Sequence, residues 1–137
     1  MATLNPASNF AFQVQMTIHG DVGGLILRAG NAASNDIQGY FFALSSLGAY
    51  AFSVRQGASQ SQILQQGVSP AINPGQGQAN LLTVIARANT FYLYINRQFV
   101  INISDNNFKS GGIGLYALNI SQITDVTFND AQVWNLS

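Results

Sequence analysis

NLLTVIARANTFYLYINRQFVINISDNNFKSGGIGLYAL, residues Asn80 to Leu118, is the stretch whose reading decides the fold. Apolar residues alternate with polar or small ones and are broken only by short turn sequences, the period-2 signature of half-buried antiparallel strands. Asn80–Ala88 reads as one strand, Phe91–Ile95 as the next and Gln98–Ile103 as a third. A turn over Asp105–Gly112 then leads into a strand over Ile113–Leu118. Within Phe91–Ile95, pleating places Phe91, Leu93 and Ile95 on one side and Tyr92 and Tyr94 on the other.

The same pattern extends upstream. Phe10, Phe12, Val14, Met16 and Ile18 alternate with Ala11, Gln13, Gln15 and Thr17 in a strand over Asn9–His19. Gly20, Asp21, Gly23 and Gly24 supply a turn into a short strand over Leu25–Ala29, with Leu25 and Leu27 on one face and Arg28 opposite. Tyr40–Ser45 and Ala49–Arg55 flank Ser46-Leu47-Gly48 as a hairpin. Gln56–Gln62 reads as a polar connector and Ile63-Leu64 as a brief apolar segment. Ser69–Gln78, with two prolines that fix φ and lack ladder donors, must be loop.

Downstream, Asp125–Leu136 closes the chain as a strand. Phe128 and Val133 are spaced by an odd number of residues, so both reach the core only if a bulge lies between them. About ten short antiparallel strands, with turns roughly every 8 to 12 residues, predict an all-β, two-sheet antiparallel sandwich. No internal repeat suggests a propeller or solenoid.

Composition narrows the function. The 137 residues fit a single domain, 1–137, and can bury roughly two thirds of the unfolded surface. Four Arg and one Lys balance five Asp, and there is no Glu, so no basic stripe exists to neutralise phosphates or anionic lipid. Nucleic-acid partners and membrane insertion are therefore not expected. Only 7% of residues are charged, so Asn, Gln, Ser and Thr must cover the surface. Such a surface is commoner outside the cytoplasm and points to an extracellular or cell-surface setting, with the chain a domain excised from a larger protein. Cysteine is absent, which removes disulfides and thiolate metal sites. No window approaches about 18 apolar residues and MATLNPASN carries no basic n-region, so neither a membrane span nor a signal peptide is expected.

The order of short motifs resembles a known superfamily. GLILR (Gly24 to Arg28), GYFFALS (Gly39 to Ser45), AYAFSVR (Ala49 to Arg55), NLLTVIARANTFYLYINRQFV (Asn80 to Val100), the D-x-x-x-x-x-G-x-I-G-L run from Asp105 to Leu115, and VTFNDAQVW (Val126 to Trp134) together resemble the concanavalin A-like lectin/glucanase superfamily. The closest likeness is to bacterial 3-keto-disaccharide hydrolase-like and laminin-G-like domains. That resemblance implies a jelly roll and, since fold does not fix function, little about chemistry. Relatives usually write the Asn96-Arg97 turn as Asn-Gly or Asp-Gly, so Arg97 departs from the pattern and leaves the turn type open. Glucanase members use a strand-borne E-x-D-x-x-E cluster, which a chain without Glu does not carry.

Candidate chemistry follows from few residues. A glycosidase needs two carboxyl groups across the scissile bond. Asp21, Asp36 and Asp105 lie in turn-like segments where Asp bonds local backbone, and Asp125 and Asp130 border or interrupt the last strand. No catalytic residue is assigned. His19, the sole histidine, reads as a surface strand end, and no metal site or cofactor is expected. Calcium is the one ion for which oxygen ligands exist, in the Asn31–Asp36 or Asp105–Asn107 loops.

Sugar binding asks for planar faces and fixed neutral hydrogen-bonding groups. Tyr92 and Tyr94 present two phenols on one sheet face, and Arg28 and Tyr116 are placed by alternation where they join it. Trp134 reads as a packing residue of the closing strand rather than a stacking platform. The expectation is a non-catalytic binding module for neutral carbohydrate, with Tyr92, Tyr94, Arg28 and Tyr116 as ligand-binding residues. The alternative is a structural or protein-interaction domain of the sensor or adhesion kind, and the third reading a glycoside hydrolase-like enzyme.

Overall fold

The computed structural model describes residues 8–31, 37–57 and 60–136. Ten antiparallel strands fill them: β1 Phe10–His19, β2 Val22–Asn31, β3 Ile37–Ser45, β4 Ala49–Gly57, β5 Gln60–Val68, β6 Ala79–Arg87, β7 Thr90–Ile95, β8 Gln98–Ser104, β9 Gly112–Leu118 and β10 Asp125–Asn135. They form two five-stranded sheets, ordered β10-β1-β6-β7-β8 and β5-β4-β3-β2-β9. This is the two-sheet antiparallel sandwich that the alternation predicts, and the jelly roll that the resemblance implied.

Burial follows pleating closely. Phe10, Phe12, Val14, Met16 and Ile18 of β1 face Leu25, Leu27, Tyr40, Phe42, Leu44 and Phe52 of the other sheet in one core cluster. Each fully buried large apolar side chain contributes about 1.5–3 kcal/mol of burial free energy, so a one-residue register slip in β1 would expose five of them. Ala71 and Ile72, inside the proline-containing connector, are also buried and close one end of the core. Gln76 fixes that connector: its side chain accepts from Gly20 N–H at 2.6 Å and donates to the Gly20 carbonyl at 2.9 Å.

Three expectations need correction. The segment Gln60–Val68 is a full strand rather than a connector. It is the edge of its sheet and mostly exposed, so its polar sequence carries no alternation to read. Second, Arg28 is not on an exposed face. Its neighbours shift register on both sides, between Leu27 and Gly30 against β3 and between Ile26 and Ala29 against β9, and its own φ is 52°. This bulge breaks the alternation and buries Arg28 to 1% exposure. Third, Tyr116 belongs to β9, in the other sheet from Tyr92 and Tyr94, and its ring packs edge-on against Phe41 at 5.4 Å.

The last strand does carry a bulge, although the condition that would have required it, Phe128 and Val133 both in the core, is not met. Gln13 pairs with Gln132 while Gln15 pairs with Asn129, leaving one extra residue in β10. Phe128 packs against the core, whereas Val133 is largely at the surface. Residues 32–36 of the loop considered for calcium, Asp36 among them, lie outside the described residues.

Candidate functional site

The outer face of the β10-β1-β6-β7-β8 sheet carries the residues that alternate with the core. Directly paired positions in an antiparallel sheet share a face, so its transverse rows follow from the register. One row runs Trp134, Ala11, Ile85, Tyr92 and Asn102. The next runs Gln132, Gln13, Thr83, Tyr94 and Phe99, and beyond it lie Asn129, Gln15 and Leu81. Tyr92 and Tyr94 are half-buried on this face, as expected, and Tyr94 meets Phe99 edge-on at 5.5 Å. Trp134, read from sequence as a packing residue, stands 46% exposed in the Tyr92 row.

A groove of about 410 Å³, lined by Gln13, Gln15, Ala79, Leu81, Asn96, Arg97, Asp130 and Gln132, begins in the row of Tyr94, with Tyr92 one row further away. Each polar residue reaches it for a local reason. Gln13 and Gln15 are the outward members of β1, and Thr83 donates to Gln13 Oε1 at 2.9 Å. Asp130 is the extra residue of the β10 bulge, with φ at 56°. Asn96 and Arg97 form the two-residue β7–β8 turn; φ values of 52° and 67° make it type I′.

That turn is held by its first residue. Asn96 Oδ1 accepts from Leu81 N–H at 2.8 Å, and its amide donates to the Ala71 carbonyl at 2.8 Å and to Asn80 Oδ1 at 2.9 Å. Asn80 is itself buried and exchanges two further bonds with the Asn73 backbone. A fully bonded buried amide network of this kind rigidifies what it touches. It obliges Arg97 to take a left-handed conformation that glycine adopts far more cheaply.

Positive-φ backbone is distributed unevenly. Among the described residues the five non-glycine residues in that region are Arg28, Ala88, Asn96, Arg97 and Asp130. The last three line this groove; Arg28 and Ala88 line a second cavity at the opposite end of the sandwich. Strain of this kind, of order 1–3 kcal/mol per residue, gathers where a side chain has to be aimed.

The aspartates do different things. Asp21 does not bond its own turn but accepts from the N–H groups of Ile120, Ser121 and Gln122 at 2.7, 2.7 and 3.1 Å, across about a hundred residues of chain. Those backbone donors hold its carboxyl far below the usual carboxylate range. Asp105 combines the expected Asx turn, accepting from Asn107 N–H at 2.9 Å, with a 2.6 Å bond from the Tyr40 hydroxyl. Burial, and then the hydrogen bond to Asp105, push the Tyr40 phenol up to about 12. Burial alone raises the Tyr116 phenol. His19 is exposed at the end of β1. Among the described residues no group of three or more His, Cys, Asp or Glu is placed to hold a metal ion.

Sequence reasoning found Tyr92 and Tyr94 on this face and missed the groove. Gln13 and Gln15 were visible as the polar half of an alternating strand, Arg97 as a misfit in its turn, and the β10 bulge only as a condition on an odd spacing. Nothing local said that β10 and β7 flank β1 and β6 and so bring the three together.

No family model and no curated protein sequence matches this chain. Among solved structures it is similar to the carbohydrate-binding module CBM66 of Bacillus subtilis, with a TM-score of 0.75 and 18% identity, covering 94% of this chain and 76% of that one. It is also similar to sheep galectin-11, with a TM-score of 0.68 and 10% identity over 97% of this chain and 95% of that one. For galectin LEC-6 of Caenorhabditis elegans the TM-score is 0.69 and the identity 13%, over 94% and 84% of the two chains. At such identities the likeness is one of fold: a lectin-like jelly roll, in keeping with the superfamily the motifs resemble.

Proposed function

We propose that the chain is a non-catalytic binding module that takes a neutral carbohydrate along the outer face of the β10-β1-β6-β7-β8 sheet. The observation that carries this reading is the groove that begins in the Tyr94 row, where three glutamines, Asn96, Arg97 and Asp130 converge on one open face. Fixed amides suit hydroxyl groups, the tyrosines and Trp134 offer ring faces in adjoining rows, and one cation with one carboxylate leave the surface without net charge. The lectin-like fold supports the same class of ligand. Of the residues expected to bind, Tyr92 and Tyr94 remain in the proposal, joined by Gln13, Gln15, Arg97, Asp130 and Gln132. Arg28 and Tyr116 stand elsewhere in the fold and have no part in it.

Hydrolysis is the weaker reading. Asp130 is the single carboxylate among the groove-lining residues, whereas a glycosidase places two across the bond it cleaves. A protein partner is favoured by a different observation: β10 is a sheet edge with Val133 and Trp134 exposed, which suits strand addition or packing by another chain. The motifs favour a place in the bacterial hydrolase-like or laminin-G-like branch, on a larger extracellular or cell-surface protein; no helix among the described residues is long and apolar enough to cross a membrane.

A glycan array followed by amide chemical-shift titration tests the proposal. Binding should move resonances of residues 13, 15, 97, 130 and 132 together with Tyr92 and Tyr94. Silence across the array, with a mass that grows with concentration in sedimentation, would overturn it in favour of protein association.

A further inference from the structure

The second cavity, about 390 Å³, lies at the end of the sandwich away from the groove, where the β2 bulge, the β6–β7 turn and the β8–β9 loop meet. Its lining includes Asn9, Arg28, Asn89, Asp105, Asn106 and Lys109. Arg28 is the unusual member. A guanidinium has five N–H donors. Here one is used on the Phe108 carbonyl at 3.0 Å and one on the Ser8 carbonyl at 2.7 Å, and the buried Nε has no partner among the described residues. Its carbon sits 4.9 Å from the centre of the Phe91 ring. Neither acceptor nor the ring carries a charge, so among the described residues the buried cation is held by dipoles and a π face. Burial accordingly holds its pKa below the ordinary value.

Burying a cation costs several kcal/mol unless a counter-charge completes its shell. A chain that needed only packing here would place leucine or methionine at this position more cheaply. Instead the bulge forces Arg28 into left-handed backbone, and Ala88 across the cavity is strained as well. The carboxylate on the cavity wall is held through one oxygen: Asp105 Oδ1 accepts from Tyr40 and from Asn107.

We propose that this cavity is a second ligand site, separate from the sheet groove, that takes the carboxylate of an acidic sugar with Arg28 as its anchor. The planar fork of a guanidinium matches a carboxylate with two parallel hydrogen bonds. Two cations and one carboxylate line the cavity, a balance that suits a monoanion better than a phosphate dianion. The amides of Asn9, Asn89 and Asn106 are placed for sugar hydroxyls, and the volume falls within the range of small-ligand pockets.

Titration of the full chain with D-galacturonate, D-galactose and acetate, followed by amide and Arg Nε–H resonances, tests this. Galacturonate should move residues 88–89 and 105–109 and the Arg28 Nε–H signal, saturating at about millimolar concentration. Galactose should leave them in place. Arg28→Lys keeps the charge but loses the fork and should weaken galacturonate about tenfold, or ~1.4 kcal/mol. Lys109→Gln, on an exposed rim residue, keeps the test valid if Arg28→Lys does not fold, and should weaken binding about threefold. No movement at those residues, an equal response to galactose, or acetate binding as tightly as galacturonate would each overturn the proposal. Because the sheet groove reports through residues 13, 97, 130 and 132, either site can fail alone.

Discussion

Arg97→Gly is expected to make the protein more stable and a poorer binder. Arg97 occupies the second central position of a type I′ turn at φ 67°, where an L-residue costs about 1–2 kcal/mol relative to right-handed backbone. Glycine removes that cost but adds about 0.4–1 kcal/mol of unfolded-state entropy. The net gain is about 0.5–1 kcal/mol, or a Tm about 2–4 °C higher for a domain of this size. The guanidinium at the groove rim is lost at the same time. A charge-assisted hydrogen bond to a ligand is worth about 1.5–3 kcal/mol, so saccharide affinity should fall about tenfold or more. Thermal unfolding by circular dichroism and the chemical-shift titration read the two effects on one sample. Asn96→Gly in the same turn is the contrast: its side chain makes three hydrogen bonds, and its loss should destabilise the fold by about 2 kcal/mol despite the freer backbone. A lower Tm for Arg97→Gly would show that the arginine serves the fold. A higher Tm with unchanged affinity would remove the groove as the reason for its strain.

Three further outcomes follow from the geometry. Asp21→Asn should speed hydrogen exchange at Ile120, Ser121 and Gln122 by at least about tenfold, because an amide oxygen is a weaker acceptor than the carboxylate that now bonds all three. With its folded pKa depressed, Asp21 stabilises above its unfolded value of about 3.9 and loses that contribution as pH falls below it, so wild type should lose more Tm in that window than Asp21→Asn, which keeps only the loss from Asp105. For Tyr40 the sign reverses. A phenol raised to about 12 favours the folded state while neutral, so its contribution is complete below about 10 and disappears as pH climbs through 12; Tyr40→Phe should flatten this alkaline loss and cost about 1–2 kcal/mol at neutral pH. Gly24→Ala should destabilise by about 1–3 kcal/mol, seen as a lower denaturation midpoint, since the new methyl would lie 2.3 Å from the Phe42 carbonyl oxygen and 2.9 Å from the Tyr116 ring. An unchanged midpoint would mean that the β3 backbone at Phe42 shifts aside as well as the Tyr116 ring, and would refute the close packing of this position.

The Asn80–Leu118 stretch determined much by itself. Alternation is a local property of the chain, so its strands, the inward Phe91, Leu93 and Ile95, and the outward Tyr92 and Tyr94 followed from spacing. Burial pattern and strand type depend on which side of the pleat a residue occupies, and pleating is set residue by residue. What the sequence left undecided depends on pairing between distant segments. Only the tertiary structure placed β10 beside β1 and β7 beside β6, which assembles Gln13, Arg97, Asp130 and Gln132 from two strands and a turn. Only it showed that two bulges, with backbone driven to positive φ, turn Arg28 inward and Asp130 toward the groove. A bulge is stabilised by the neighbouring strands and by the bonds its side chain finds there, and these are contacts between residues far apart in the chain. For that reason Arg28, assigned by alternation to the sugar-binding face, stands instead at the far end of the sandwich, and Tyr116 lies in the opposite sheet.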